Sequence, residues 1–75
     1  MNLRELQEAY RAGRGTMTVV ELAPVLGLPI STVHRLCVAG QIPGCLRLGR
    51  RRLISVPAVL RWLEALPDDD HEARA

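Results

Sequence analysis

The residues of this 75-residue chain best suited to chemistry are arginines. Arg47, Arg50, Arg51 and Arg52 fall within six residues, and no acid stands near them in the chain. Their charges repel one another unless a polyanion approaches. A guanidinium pairs in bidentate fashion with phosphate or with the edge of guanine, and a narrow minor groove attracts inserted arginine through its negative potential. The plainer alternative is a segment kept soluble by its charge. A second group is Ser31, Thr32, His34 and Arg35. Placed early on a helix, Ser31, Thr32 and Arg35 reach base edges or phosphates, with arginine the more selective reader. His34 suits either a phosphate contact or packing against the arginine-rich segment.

Other chemistries fit less well. His34, Cys37 and Cys45 make three metal ligands on paper, and His71 is the only further histidine. Structural zinc wants four well-placed ligands, so a buried, apolar Cys37 is the better reading. The two cysteines lie outside any C-x-x-C pair and read as reduced thiols. Catalysis lacks its parts, since Glu21 is the single acid between Arg14 and Arg61 and sits at a helix-cap position. Paired carboxylates are therefore missing from the basic region, and Ser31 with His34 has no third orienting group. The expectation is a binding protein and not an enzyme, with no cofactor.

Composition agrees. The net charge of +2 hides a segregation of charge: seven arginines against one acid from Arg14 to Arg61, and acids gathered at both ends. Every basic side chain except the histidines is arginine, which fits bidentate recognition or a GC-rich genome. Tyr10 and Trp62 are the only aromatics, too few for a platform on which single-stranded bases stack. No apolar run approaches membrane-span length, and the N-terminus lacks the apolar stretch of a signal peptide. The expected location is the cytoplasm, with no membrane partner.

The elements that must position these groups follow from caps and periods. Asn2 and Glu5 make a capping box for a helix over residues 2–12, with Leu3, Leu6 and Tyr10 as its apolar stripe. That stripe packs on the rest of the domain, pairs with another copy or meets a partner. Gly13 to Met17 reads as a flexible joint. Thr18 and Glu21 box a second helix with Val19, Leu22, Ala23 and Leu26 inward, ended by Gly27; Pro24 predicts a kink or a shortened helix. A third helix runs from Pro29 or Ile30 to Ala39, with Val33, Leu36 and Cys37 inward and Gly40 as its stop. Two short helices joined by Gly27-Leu28-Pro29 form a helix-turn-helix pattern. The period then changes to two. Leu46-Arg47-Leu48 and Arg52-Leu53-Ile54 flank a turn at Gly49-Arg50-Arg51, a β-hairpin with Arg50 and Arg51 at its tip. A last helix starts near Pro57, with Val59, Trp62, Leu63 and Leu66 as its core face and Pro67 as its stop. Asp68 to Ala75 reads as an acidic disordered tail.

Taken together, Thr18-Val-Val-Glu-Leu-Ala-x-x-Leu-Gly27, Ser31-Thr-Val-His-Arg-Leu36, Gly40-Gln-Ile-Pro43, Arg47-Leu-Gly-Arg-Arg51 and Trp62-Leu63 resemble the excisionase family of winged helix-turn-helix proteins. That family is related to the DNA-binding domain of MerR-type regulators. The resemblance spans about residues 17–66 and departs from the family pattern at Pro29, in place of a Ser-like cap, and at Arg52-Leu53. It implies a mainly α fold with a small β-hairpin, in which the third helix enters the major groove and the hairpin, or wing, reaches the adjacent minor groove. It further implies a phage or mobile-element accessory protein that bends DNA beside an attachment site, contacts integrase and turns integration into excision.

The expected organisation is an N-terminal helix and joint (1–15), a winged helix-turn-helix domain (16–66) and a tail (67–75). The expected role is sequence-specific binding and bending of double-stranded DNA as an excisionase, with integrase and cooperative self-association on DNA as further partners. The alternatives are a minimal MerR-like transcriptional regulator and an interaction adaptor that binds DNA weakly; the expected setting throughout is the cytoplasm of a bacterial or phage-infected cell, in association with the nucleoid.

Overall fold

The computed structural model describes residues 1–66. The expected stop at Pro67, the tail from Asp68 and the paper ligand His71 lie outside the described residues.

Local caps open the helices. In α1 (Leu3–Arg11) the Asn2 side chain accepts the Glu5 N–H at 2.8 Å, and the Glu5 carboxylate accepts the Asn2 N–H at 2.9 Å. Thr18 and Glu21 repeat the arrangement at the start of α2 (Val19–Leu26), at 3.2 and 3.0 Å. Each such cap stabilises its helix by about 1 kcal/mol. Ser55 caps α4 (Val56–Ala65), with Pro57 in the first turn. Pro29 precedes α3 (Ile30–Val38) without a side-chain cap, in an extended conformation that turns the chain into the helix.

Pro24 does not break α2, which continues to Leu26 before Gly27, at φ 70°, ends it. Pro24 and Val20, whose carbonyl would have received the missing N–H, both lie on the exposed side of the helix. Water can take the bond that proline cannot make.

The expected joint is partly a strand. Thr16–Met17 form β1, antiparallel to β3 (Arg51–Ser55), with Thr16 opposite Ser55 and Met17 opposite Ile54. β2 (Cys45–Leu48) pairs along the other edge of β3, giving the order β1-β3-β2. Only Gly49 and Arg50 lie between the two hairpin strands, and Gly49 alone of the pair has positive φ, at 61°, as in a type II′ turn. Arg51, expected in the turn, is therefore the first residue of β3, opposite Leu48.

The core lies where the helices meet this sheet. Val19, Leu22 and Ala23 of α2, Val33 and Cys37 of α3, and Ile54 of β3 are buried. On α4 the buried stripe is Val56, Val59 and Leu60, with Trp62 and Leu63 partly covered. Leu66, expected in that stripe, falls after the last helical residue and is exposed. Leu26 and Leu36 sit at the margin of the core. Of the α1 stripe only Leu6 is fully buried, and α1 rests on α4. Gly44, at φ 83°, brings the loop before β2 onto the start of α4: an added Cβ would stand 2.8 Å from the Ala58 Cβ.

Candidate nucleic-acid interface

The helix pair α2 and α3 is bent by 109° across the three residues Gly27, Leu28 and Pro29. That lies within the range of roughly 90–120° for a helix-turn-helix. Because Val33 and Cys37 turn inward, Ser31, His34 and Arg35 are left exposed on the opposite face, with Thr32 half-buried. Thr32 Oγ1 accepts a long hydrogen bond, 3.4 Å, from Arg35 Nη2. Thr32 thus orients the guanidinium while lining neither adjoining groove.

The wing supplies the rest. Register places Arg47 directly opposite Arg52 across the hairpin. Arg47 Nε donates to the Gly49 carbonyl at 3.2 Å, tying one guanidinium to the turn. Arg47, Arg50, Arg51 and Arg52 line one cleft together with His34 and Val38. His34 also borders a second groove, beside Ser31 and Arg35. Seven of the eight residues singled out by sequence therefore border two grooves that meet at His34, and Thr32 is bonded to one of the seven.

The electrostatics favour an anionic ligand. Among the described residues the ion pairs are the N-terminus with Glu5 and Arg14 with Glu21, so the groove arginines carry no partner acid. Arg14 thereby leaves the basic set to which its sequence position assigned it. The Arg14 hydrogen bond, and after it the Thr18 N–H, hold the Glu21 carboxyl below its ordinary value of 4.5. Glu21 is thus an ionised cap and the ion-pair partner of Arg14.

Two features were not legible in advance. Val20 and Ile30, both exposed, line the second groove beside Ser31 and Arg35. Their only signal is an apolar side chain at a helical position outside the core stripe. The other is the approach of Cys45 Sγ to Cys37 Sγ, 2.8 Å, which joins β2 to α3. Burial and the Cys37 thiol push the Cys45 thiol up to about 12. Among the described residues no three of His, Cys, Asp and Glu gather as a metal site would require, and no single helix is long and apolar enough to cross a membrane.

A family model described as a helix-turn-helix domain matches residues 16–67. It is a DNA-binding domain found in excisionase-like proteins, and its members are typically not enzymes. No curated protein and no solved structure matches the chain.

Proposed function

The chain belongs to the helix-turn-helix domain family, and from that premise we propose that it binds a specific double-stranded DNA site, bends it and serves as an excisionase. The observation that carries this reading is the continuity of the α3 face with the four-arginine wing through His34, on a surface whose arginines pair with no acid of the described residues. In this reading α3 enters the major groove, where Arg35 pairs with guanine and Ser31 and Thr32 contact base edges or phosphates. The wing arginines enter the neighbouring minor groove. Contacts spread over two grooves offset the deformation energy of a bend, which is how an architectural protein works without catalysis. Bent DNA beside an attachment site would then favour an integrase complex that excises, within the cytoplasm of a bacterial or phage-infected cell.

A gel-shift titration over duplex fragments tiling the protein's own gene and any neighbouring integrase gene tests this. Stepwise, cooperative bands on a short stretch, bent as judged by mobility of permuted fragments, are the expected result. A single dimer-like shift at a promoter would replace the excisionase role with transcriptional regulation. Binding no tighter than to random duplex would remove sequence-specific recognition altogether and leave the adaptor reading.

A further inference from the structure

We propose that Ile30 and Val20 form an apolar reading surface for the 5-methyl group of thymine, so that this protein selects a thymine close to the guanine taken by Arg35. The inference rests on the DNA-binding reading above and adds a base preference to it.

Ile30 is the first residue of α3 and is 50% exposed; Val20, in the first turn of α2, is 61% exposed. They come from different helices, yet line one groove with Ser31, His34 and Arg35. Exposed apolar side chains occur elsewhere on the described surface, Leu46 and Leu48 among them; Ile30 and Val20 differ in lining one groove with Ser31, His34 and Arg35. The groove adjoins the cleft of four wing arginines through His34, so apolar surface lies next to guanidinium groups that no acid of the described residues neutralises.

That pairing of chemistries narrows the occupant. The major groove presents phosphate oxygens along its borders, and the thymine methyl is the apolar group among its base edges. The N-terminal residues of a recognition helix are the ones that meet base edges, and Ile30 and Ser31 occupy that turn. Both apolar side chains are β-branched, so they lose little rotamer freedom when a methyl group packs on them. Along α3, Ile30 precedes Arg35 by five positions, an axial rise of about 7.5 Å. The thymine and the guanine are thus neighbouring but distinct positions of one site.

The test uses the full chain and DNA chemistry. A preferred duplex is enriched from a random library at moderate salt, then resynthesised with deoxyuridine in place of each thymidine in turn. Deoxyuridine keeps the pairing and removes the methyl, so protein folding is not at issue. At one or two positions the wild-type protein is expected to bind the deoxyuridine duplex about fourfold more weakly. Ile30→Ala, and independently Val20→Ala, should bind the two duplexes alike. Equal wild-type affinity for both, or an enriched core without thymine, overturns the inference while leaving DNA binding intact. Enrichment of no duplex would sink the DNA reading together with it. Loss of self-association in Ile30→Ala, with methyl sensitivity retained, would assign the patch to a second copy and also overturn it.

Discussion

Removing two wing arginines should change how DNA binding responds to salt more than it changes the protein. Arg50 and Arg51 are the pair to remove, because both are exposed and neither side chain has a hydrogen bond among the described residues. Arg47, by contrast, is bonded to the Gly49 carbonyl, and Arg52 is half-buried. The double variant Arg50→Ala, Arg51→Ala keeps Gly49 and its positive φ, so the turn persists. If Arg35 at its guanine and the wing arginines Arg47, Arg50, Arg51 and Arg52 each displace one condensed counterion, the logarithmic salt slope is about −4.5, falling to about −2.7 in the variant. Between 50 and 200 mM salt the wild type then loses affinity about 500-fold and the variant about 40-fold. Fluorescence anisotropy on one labelled duplex across that range measures both slopes, and thermal melts should agree within about 0.5 kcal/mol. Equal slopes would refute the placement of the wing on DNA.

Three further outcomes are expected. Gly44→Ala combines a left-handed backbone with a Cβ against Ala58, so urea unfolding should show a loss of about 2–4 kcal/mol; a loss under about 0.5 kcal/mol would mean that the loop moves freely off α4. Glu21→Gln keeps the capping-box acceptor and should destabilise the protein by up to about 1 kcal/mol at neutral pH through loss of the ion pair with Arg14. Since the folded carboxyl lies below 4.5, this contribution is present above that value and lost as pH falls through the lowered one; acid titrations of stability should therefore be steeper in the wild type than in the variant, and parallel curves would contradict it. Cys45, pushed up from 9.0 to about 12, should alkylate about a thousandfold more slowly at pH 8 in the native protein than in urea. Native labelling at the denatured rate would show that the thiol is not held this way.

Features decided within a few residues were open to reading from sequence. Asn2 with Glu5 and Thr18 with Glu21 cap their helices because both partners of each box lie in one turn. β1 was hidden because two residues, Thr16 and Met17, show no alternation, and only pairing with β3 makes them a strand. On α4, the sets 56, 59, 60, 63 and 59, 62, 63, 66 have the same helical spacing. Helix length and the position of the sheet decide between them, and neither is local. The placement of Arg51 depended on a two-residue turn, which the φ of Gly49 permits and composition alone does not specify. The candidate interface was legible residue by residue. What needed the fold was their order in space, with His34 at the junction and apolar Val20 brought beside Ile30 from another helix.

The register that sets Arg47 against Arg52 also gives ionic strength two opposed effects on one element. Like charges directly across a pair of strands destabilise it, so in the free protein dissolved salt screens that repulsion and firms the wing. Where the wing meets DNA as proposed, the phosphates perform the same screening, and added salt competes with them for the arginines. The wing is thus at its least settled in dilute buffer without DNA, the condition in which the proposed DNA binding would be tightest. Amide exchange in the hairpin should slow with rising salt over the range in which binding weakens. On the proposed binding mode, part of the binding energy goes into quieting a hairpin whose own charges resist it, so the arm would sense its ionic surroundings as well as touch DNA.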